Sequence, residues 1–111
     1  EIHDAFSTSE AQIYKALGIA NKDNIAKFIR DGETTMNGSI PMNPGGGLIG
    51  YGHPVGATGL MSSIEAHYQL GGLATKKHIS KKTTVDNAEC GIVNSHAGTG
   101  TSISNFIFRR P

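Results

Sequence analysis

Gly45-Gly46-Gly47-Leu48-Ile49-Gly50-Tyr51-Gly52-His53-Pro54-Val55-Gly56-Ala57-Thr58-Gly59 is the stretch on which the reading of this sequence turns. Glycine fills positions 45, 46, 47, 50, 52, 56 and 59. A run so poor in side chains lets a backbone come close to another group, and the segment after it has a helical period. Leu60, Ile64 and Tyr68 or His67 recur on one face at helical spacing. Gly56, Ala57 and Gly59 form a second face small enough for close backbone packing, and Gly71-Gly72 ends the segment. A helix over residues 54–70 is predicted, with Pro54 in the first turn, where its missing N–H would be unpaired anyway. Two common meanings of a glycine run fail here. No Gly-Lys-Ser/Thr comes after it, as a phosphate loop requires, and the third glycine of a dinucleotide fingerprint comes one position late.

Working outward, residues 33–52 read as a long connection full of turn chemistry, with Gly38, Pro41 and Pro44 before the glycine run. A compact domain rarely keeps so long a loop without a task for it. Upstream, Ser7-Thr8-Ser9-Glu10 reads as a capping box. Ala11, Tyr14 and Leu17 come next at helical spacing, and Gly18 suits the C-terminal end. A short helix over residues 23–30 carries Ile25, Phe28 and Ile29 and stops at Gly32. Downstream, residues 89–94 and 101–108 read as strands, joined by Gly98-Thr99-Gly100, which supply the positive φ of a tight hairpin. The order implies a mixed α/β layer whose first strand is largely missing. There is no internal repeat.

Composition narrows the function classes. A length of 111 residues fits one domain, and 15 glycines are about twice the usual share of ~7%. With 37% hydrophobic and 17% charged residues the chain can bury a modest core and is not of the disordered type. A net charge of +1 gives no field for nucleic acid. The densest basic stretch, Lys76-Lys77-His78 with Lys81-Lys82, lacks interleaved aromatics and reads as a solvated loop. No apolar run approaches the ~18 residues of a membrane span. One cysteine, Cys90, excludes a disulfide framework, fits a reducing or redox-neutral compartment and, in its apolar strand setting, reads as inert. Glu1-Ile2-His3-Asp4 is not a signal or transit peptide, and Phe108-Arg109-Arg110-Pro111 is not a peroxisomal address.

Three stretches combine a histidine with small residues at the end of an element: His3-Asp4-Ala5-Phe6, Gly52-His53-Pro54, and Asn94-Ser95-His96-Ala97-Gly98-Thr99-Gly100. A flat acyl group can approach such a histidine without obstruction. Backbone N–H groups beside it can face a developing oxyanion, where losing one donor costs ~3–4 kcal/mol of transition-state stabilisation. Neutral imidazole is a general base near pH 7 and can activate a thiol. His67, inside a helix, and His78, in the basic loop, read as structural or surface residues. Metal binding by His3, His53 and His96 lacks any H-x-x-H or C-x-x-C spacing, and no metal is expected.

Gly52-His53-Pro54-Val55-Gly56-Ala57-Thr58-Gly59 resembles the Gly-His-Pro loop of the thiolase superfamily. Ile40-Pro41-Met42-Asn43-Pro44-Gly45-Gly46-Gly47 fits the same family, as do Glu65 and Gln69-Leu70-Gly71-Gly72. His3-Asp4-Ala5-Phe6 resembles the His-Asp-Cys-Phe loop of the sterol-carrier-protein-type and archaeal thiolases, where degradative thiolases carry Asn-Glu-Ala-Phe. The resemblance covers essentially the whole chain, but only the C-terminal half of a thiolase. It implies that residues 1–111 are a thiolase C-terminal domain, a fragment of a longer chain whose nucleophile-bearing N-terminal half lies outside it. The fold implied is α/β: a mixed five-stranded sheet with helices packed on its faces.

The resemblance also implies 3-ketoacyl-CoA chemistry, thiolytic cleavage or Claisen condensation, with coenzyme A as substrate and no cofactor. His53 would activate the nucleophilic cysteine of the other half and donate to the thioester oxyanion. His3 would act in the same oxyanion hole, directly or through a water. Ala5 and Phe6 would line the pantetheine tunnel, and Gly98 would supply an oxyanion N–H with His96 beside it. Two departures stand out. The acid/base thiol that the family places in a Cys-x-Gly turn is His96 here, or Asn94 in a slipped register, and the alternative thiol of the His-Asp-Cys-Phe loop is Ala5. Three functions stay open: a thiolase in which His96 takes the acid/base task, a thiolase-like protein performing another acyl transfer, condensation or hydrolysis, and a non-catalytic acyl-CoA-binding or assembly module. A homodimer is the expected assembly, and the peroxisome, glycosome or mitochondrial matrix the expected location, with the cytoplasm as the alternative.

Overall fold

The strand pair forms where β-branched and aromatic residues alternate. In the computed structural model, which describes residues 1–72 and 83–111, β1 (Cys90–Ala97) pairs antiparallel with β2 (Ser102–Arg109) from Cys90↔Arg109 to Ala97↔Ser102. β1 runs three residues past its expected end and so carries His96 inside it, while β2 keeps the expected length shifted by one residue. The connection is residues 98–101, with Gly98 at φ +61° and Gly100 at φ +90°. The chain start runs alongside the other edge of β1. The Glu1 nitrogen donates to the Ile92 carbonyl at 2.8 Å, and the Glu1 carbonyl accepts from the Asn94 N–H at 2.9 Å, the slanted pattern of a parallel ladder. This two-stranded sheet is the part of the expected mixed sheet found among the described residues.

Alternation along this ladder sorts the helices to two sides. Val93, fully buried, faces α4 (Thr58–Leu70), as do Gly91 and Ser95. A Cβ on Gly59 would lie 2.9 Å from the Ser95 hydroxyl, so the helix start can approach the sheet this closely only without a side chain there. Ile2 faces the opposite side and packs with Ile13, Tyr14 and Ala20 of the α1 (Ser7–Ala16) region, flanked by Leu17, Ile25 and Phe28. Burying side chains of this size stabilises by about 1.5–3 kcal/mol each. The second helix, α2, spans Ile25–Arg30.

Several expectations need correction. Helix α4 starts at Thr58, not Pro54, because residues 54–57 close a tight turn in which the Ala57 N–H reaches the Pro54 carbonyl. Its buried face is also not the predicted one. Leu60 is 70% and Ile64 50% exposed, while Thr58, Ser62, Glu65, Ala66, Gln69 and Leu70 are buried. The polar members are held by specific partners: Gln69 donates to Glu65 at 2.8 Å and accepts from the Val85 N–H at 2.9 Å. Ser7 does not cap α1. Phe6 occupies the cap position with extended backbone, no side-chain cap bond forms, and Glu10 accepts from the Tyr14 hydroxyl instead of reaching back. The long connection contains a third helix, α3 (Gly47–Tyr51), that the sequence did not suggest. Gly18, at φ +70°, and Gly72, at φ +66°, do come after α1 and α4 as expected. The basic stretch 76–82, with His78, lies outside the described residues.

Candidate active site

Three chain segments far apart in sequence bring their histidines into one place. His3 leaves the ladder just after Ile2, His53 sits between α3 and α4, and His96 lies near the end of β1. The His3 ring meets His53 edge-on at 4.9 Å between centroids and stacks on His96 at 5.1 Å. All six residues singled out in the sequence, His3, Ala5, Phe6, His53, His96 and Gly98, line one pocket of about 750 Å³.

The position of His3 is set from behind. The Asn43 side chain clamps the neighbouring Ile2 peptide, accepting its N–H at 2.7 Å and donating to its carbonyl at 3.3 Å. Asp4, buried, accepts the Leu48 N–H at 2.8 Å and so ties the His3 loop to α3. Gly47 leaves room for both: a Cβ there would sit 2.5 Å from an Asp4 carboxylate oxygen and 2.6 Å from the Asn43 amide nitrogen. The glycine run thus serves a buried polar seam under the histidines. Glu1 belongs to that seam, and burial pushes its carboxyl up to about 7, with Glu65 and Asp4 adding to the rise.

Burial lowers the pKa of His3, and the neighbouring His53 and His96 lower it further, against a smaller opposing effect of Asp4. The ring is therefore neutral at neutral pH. Its Nδ1 faces the His96 backbone N–H at 3.5 Å, the outer limit of a hydrogen bond, an arrangement that puts the ring proton on Nε2 as a donor. His53 has a firmer anchor. Its Nδ1 is 2.7 Å from the hydroxyl of Thr58, a residue only 2% exposed. A hydroxyl can donate to or accept from that nitrogen, so Thr58 fixes the ring plane in both tautomers. Nε2 can then serve first as base and later as donor. Sequence reading missed Thr58 and Asn43 as functional supports. Their signals were a hydroxyl five residues after the histidine and an asparagine just before the Pro-Gly-Gly-Gly turn.

The thiol question has a geometric answer within this chain. Cys90 opens β1 and is exposed. Six residue steps of strand lead from it to His96, about 20 Å at ~3.3 Å per residue. It cannot reach the pocket. Among the described residues no group of three or more His, Cys, Asp or Glu side chains is arranged to hold a metal ion, and no helix is long and apolar enough to cross a membrane.

Among known proteins, the family described as thiolase C-terminal domain-like matches residues 1–110. Acetyl-CoA acetyltransferase of Methanothermobacter thermautotrophicus is 38% identical over 110 residues, covering 99% of this chain and 27% of its own length. Sterol carrier protein 2 of Gallus gallus is 44% identical over 79 residues, covering 71% of this chain and 14% of its own. Benzoylsuccinyl-CoA thiolase subunit BbsB of Thauera aromatica is 46% identical over 59 residues, or 53% of this chain and 15% of that protein. The chain spans about a quarter or less of the length of these relatives.

Proposed function

Because the chain belongs to the thiolase C-terminal domain-like family, we propose that it supplies the histidines and an oxyanion hole for acyl transfer between a 3-ketoacyl-CoA and coenzyme A, with the nucleophilic cysteine coming from an N-terminal half. The observation that carries the reading is the convergence of His3, His53 and His96 on one pocket with Gly98, Ala5 and Phe6. In this reading His53 Nε2 takes the proton of that cysteine, and the thiolate attacks the 3-keto carbonyl. The resulting oxyanion is met by N–H donors. Breaking the C2–C3 bond leaves an acyl-cysteine and an acetyl-CoA carbanion, which takes a proton from His96. The thiol of a second CoA then gives its proton to His96, and its thiolate takes the acyl group, releasing the cysteine thiolate, which recovers its proton from His53 Nε2. The Nε2–H of His3 and the N–H of Gly98 are the candidate oxyanion donors.

His96 takes the acid/base role because it stands near the end of β1, at the position that by resemblance matches the family's thiol, and its ring stacks on a histidine that burial keeps neutral. The complete fold in this reading is the mixed five-stranded sheet with helices on its faces, paired with a similar N-terminal domain in a homodimer. A peroxisomal, glycosomal or mitochondrial-matrix setting goes with it.

A second reading has its own observation. Neither position 5 nor position 96 holds a thiol, and Cys90 is too distant to replace one. That favours a thiolase-like acyl-CoA-binding protein, or one catalysing condensation or thioester hydrolysis alone. The deciding experiment is acetoacetyl-CoA thiolysis by the complete gene product, beside His53→Ala and Ala5→Cys. The thiolase reading expects turnover in the wild type, loss in the first variant and a gain in the second. Absence of both thiolysis and cysteine acylation in the wild type refutes it. Acyl-CoA binding measured by calorimetry then separates a binding protein from a fold without that ligand.

A further inference from the structure

We propose that Asn94 anchors the ligand in this pocket, its side-chain carbonyl accepting a hydrogen bond from an N–H or O–H group carried by the thioester substrate. The proposal rests on the acyl-CoA reading and adds a specificity residue to it. Asn94 is on the pocket wall and only 4% exposed. Its backbone is pinned by the Glu1 carbonyl, and its amide Nδ2 donates at 2.7 Å to Oδ1 of Asn105, its direct cross-strand partner. That bond spends one end of the carboxamide. The other end, Oδ1, is buried and has no hydrogen-bond partner among the described residues.

A buried carbonyl left unpaired is costly, and native interiors keep few. Its position gives the cost a use. Asn94 and His96 are two apart on one strand and share its face, about 6.6 Å from each other at ~3.3 Å per residue. This role requires the carboxamide to turn about its soft terminal torsion so that the oxygen meets the wall the residue already forms. A thioester whose carbonyl lies beside His96 therefore places there a group two to four bonds removed from the reacting carbon. Two parts of the ligand qualify: the nearer amide N–H of the pantetheine arm, or a hydroxyl on the acyl chain. Ile103 and Asn105 continue the same wall.

The test measures calorimetric affinity of the complete gene product for CoA, butyryl-CoA and 3-hydroxybutyryl-CoA, in the wild type, in Asn94→Leu and in Asn105→Leu. Leucine keeps the volume of Asn94 and removes its carbonyl. Asn105 is exposed, so its replacement tests the anchor of the carboxamide without touching the interior. If the pantetheine amide is the donor, Asn94→Leu weakens all three ligands alike, by about fivefold to tenfold. If the acyl hydroxyl is the donor, only 3-hydroxybutyryl-CoA weakens by that factor. Asn105→Leu follows the same pattern to a smaller extent, and it decides the matter should Asn94→Leu fail to fold by circular dichroism. Unchanged affinity for all three ligands in a folded variant overturns the role of Asn94. A wild type that binds none of them overturns the acyl-CoA reading itself.

Discussion

Replacing Gly47 by alanine tests whether the glycine run exists for the polar seam beneath the histidines. Gly47 has φ +62°, where an L side chain costs about 1–2 kcal/mol. The added methyl would also fall 2.5 Å from Asp4 Oδ2, 2.8 Å from Asp4 Oδ1 and 2.6 Å from Asn43 Nδ2. Neither side chain is free to retreat. Asp4 is buried and holds the Leu48 N–H, a bond to a charged group worth about 1.5–3 kcal/mol, and Asn43 holds the Ile2 peptide, worth about 1 kcal/mol more. The expected loss is roughly 4–5 kcal/mol, a large part of the ~5–15 kcal/mol that stabilises a typical domain. Gly52→Ala is the matched control: φ is +92° but nothing lies within 4 Å, so only the strain of about 1–2 kcal/mol applies. Urea denaturation followed by circular dichroism gives both values. Equal losses would show that the seam is not what Gly47 protects. Since Ile2 and Asp4 flank His3, Gly47→Ala should also lower any activity that Gly52→Ala spares through that residue.

Three further outcomes are expected. Thr58→Val should lower turnover by about tenfold and shift the pH–rate profile, while Thr58→Ser restores both, because the hydroxyl and not its methyl holds His53; a Val variant with an unchanged profile would remove Thr58 from the mechanism. For His3, the folded pKa lies below the ordinary 6.5, so the unfolded chain takes up its proton first as pH falls. Its neutral burial therefore stabilises fully above about 6.5, and that contribution is lost progressively below it. Glu1, raised to about 7, acts with the opposite sign, losing stability as pH rises from about 4.5 to 7. Comparing wild type with His3→Gln in denaturation at pH 7.5 and 5.5 isolates the first effect, and an identical pH dependence in the two would contradict it. Cys90→Ser should leave turnover unchanged, since the cysteine is about 20 Å along the strand from His96; a marked loss on steady-state assay would require another path from β1 to the pocket.

How much of this was legible depended on which force placed each residue. The strand pair and the positive-φ glycines after α1 and α4 follow from local backbone preference, and the sequence carries that openly. The three histidine motifs were legible because each joins a reactive side chain to small neighbours. Their meeting at 4.9 and 5.1 Å is tertiary and was available only through resemblance. Helix α4 was misread for a physical reason. Periodicity assigns the apolar stripe of Leu60 and Ile64 to the core, yet these residues face outward, while Ser62, Glu65 and Gln69 are buried by specific hydrogen bonds that hydropathy does not register. The cap of α1 failed similarly, because Glu10 found a better partner one turn ahead in Tyr14. Asn43 was invisible as a clamp, since its partner peptide lies 41 positions away.

That clamp divides the chain into parts that can and cannot change length. Ile2 and Asn43 are fastened to each other directly, as are Asp4 and Leu48, whatever the path between them. Residues 31–41, which carry no wall of the histidine pocket, can therefore be lengthened with little effect on where His3 stands. The few residues from Asn43 to Leu48 have no such freedom, because one added residue there would pull the two fastenings out of step. The molecule behaves as a fixed buckle on an adjustable strap.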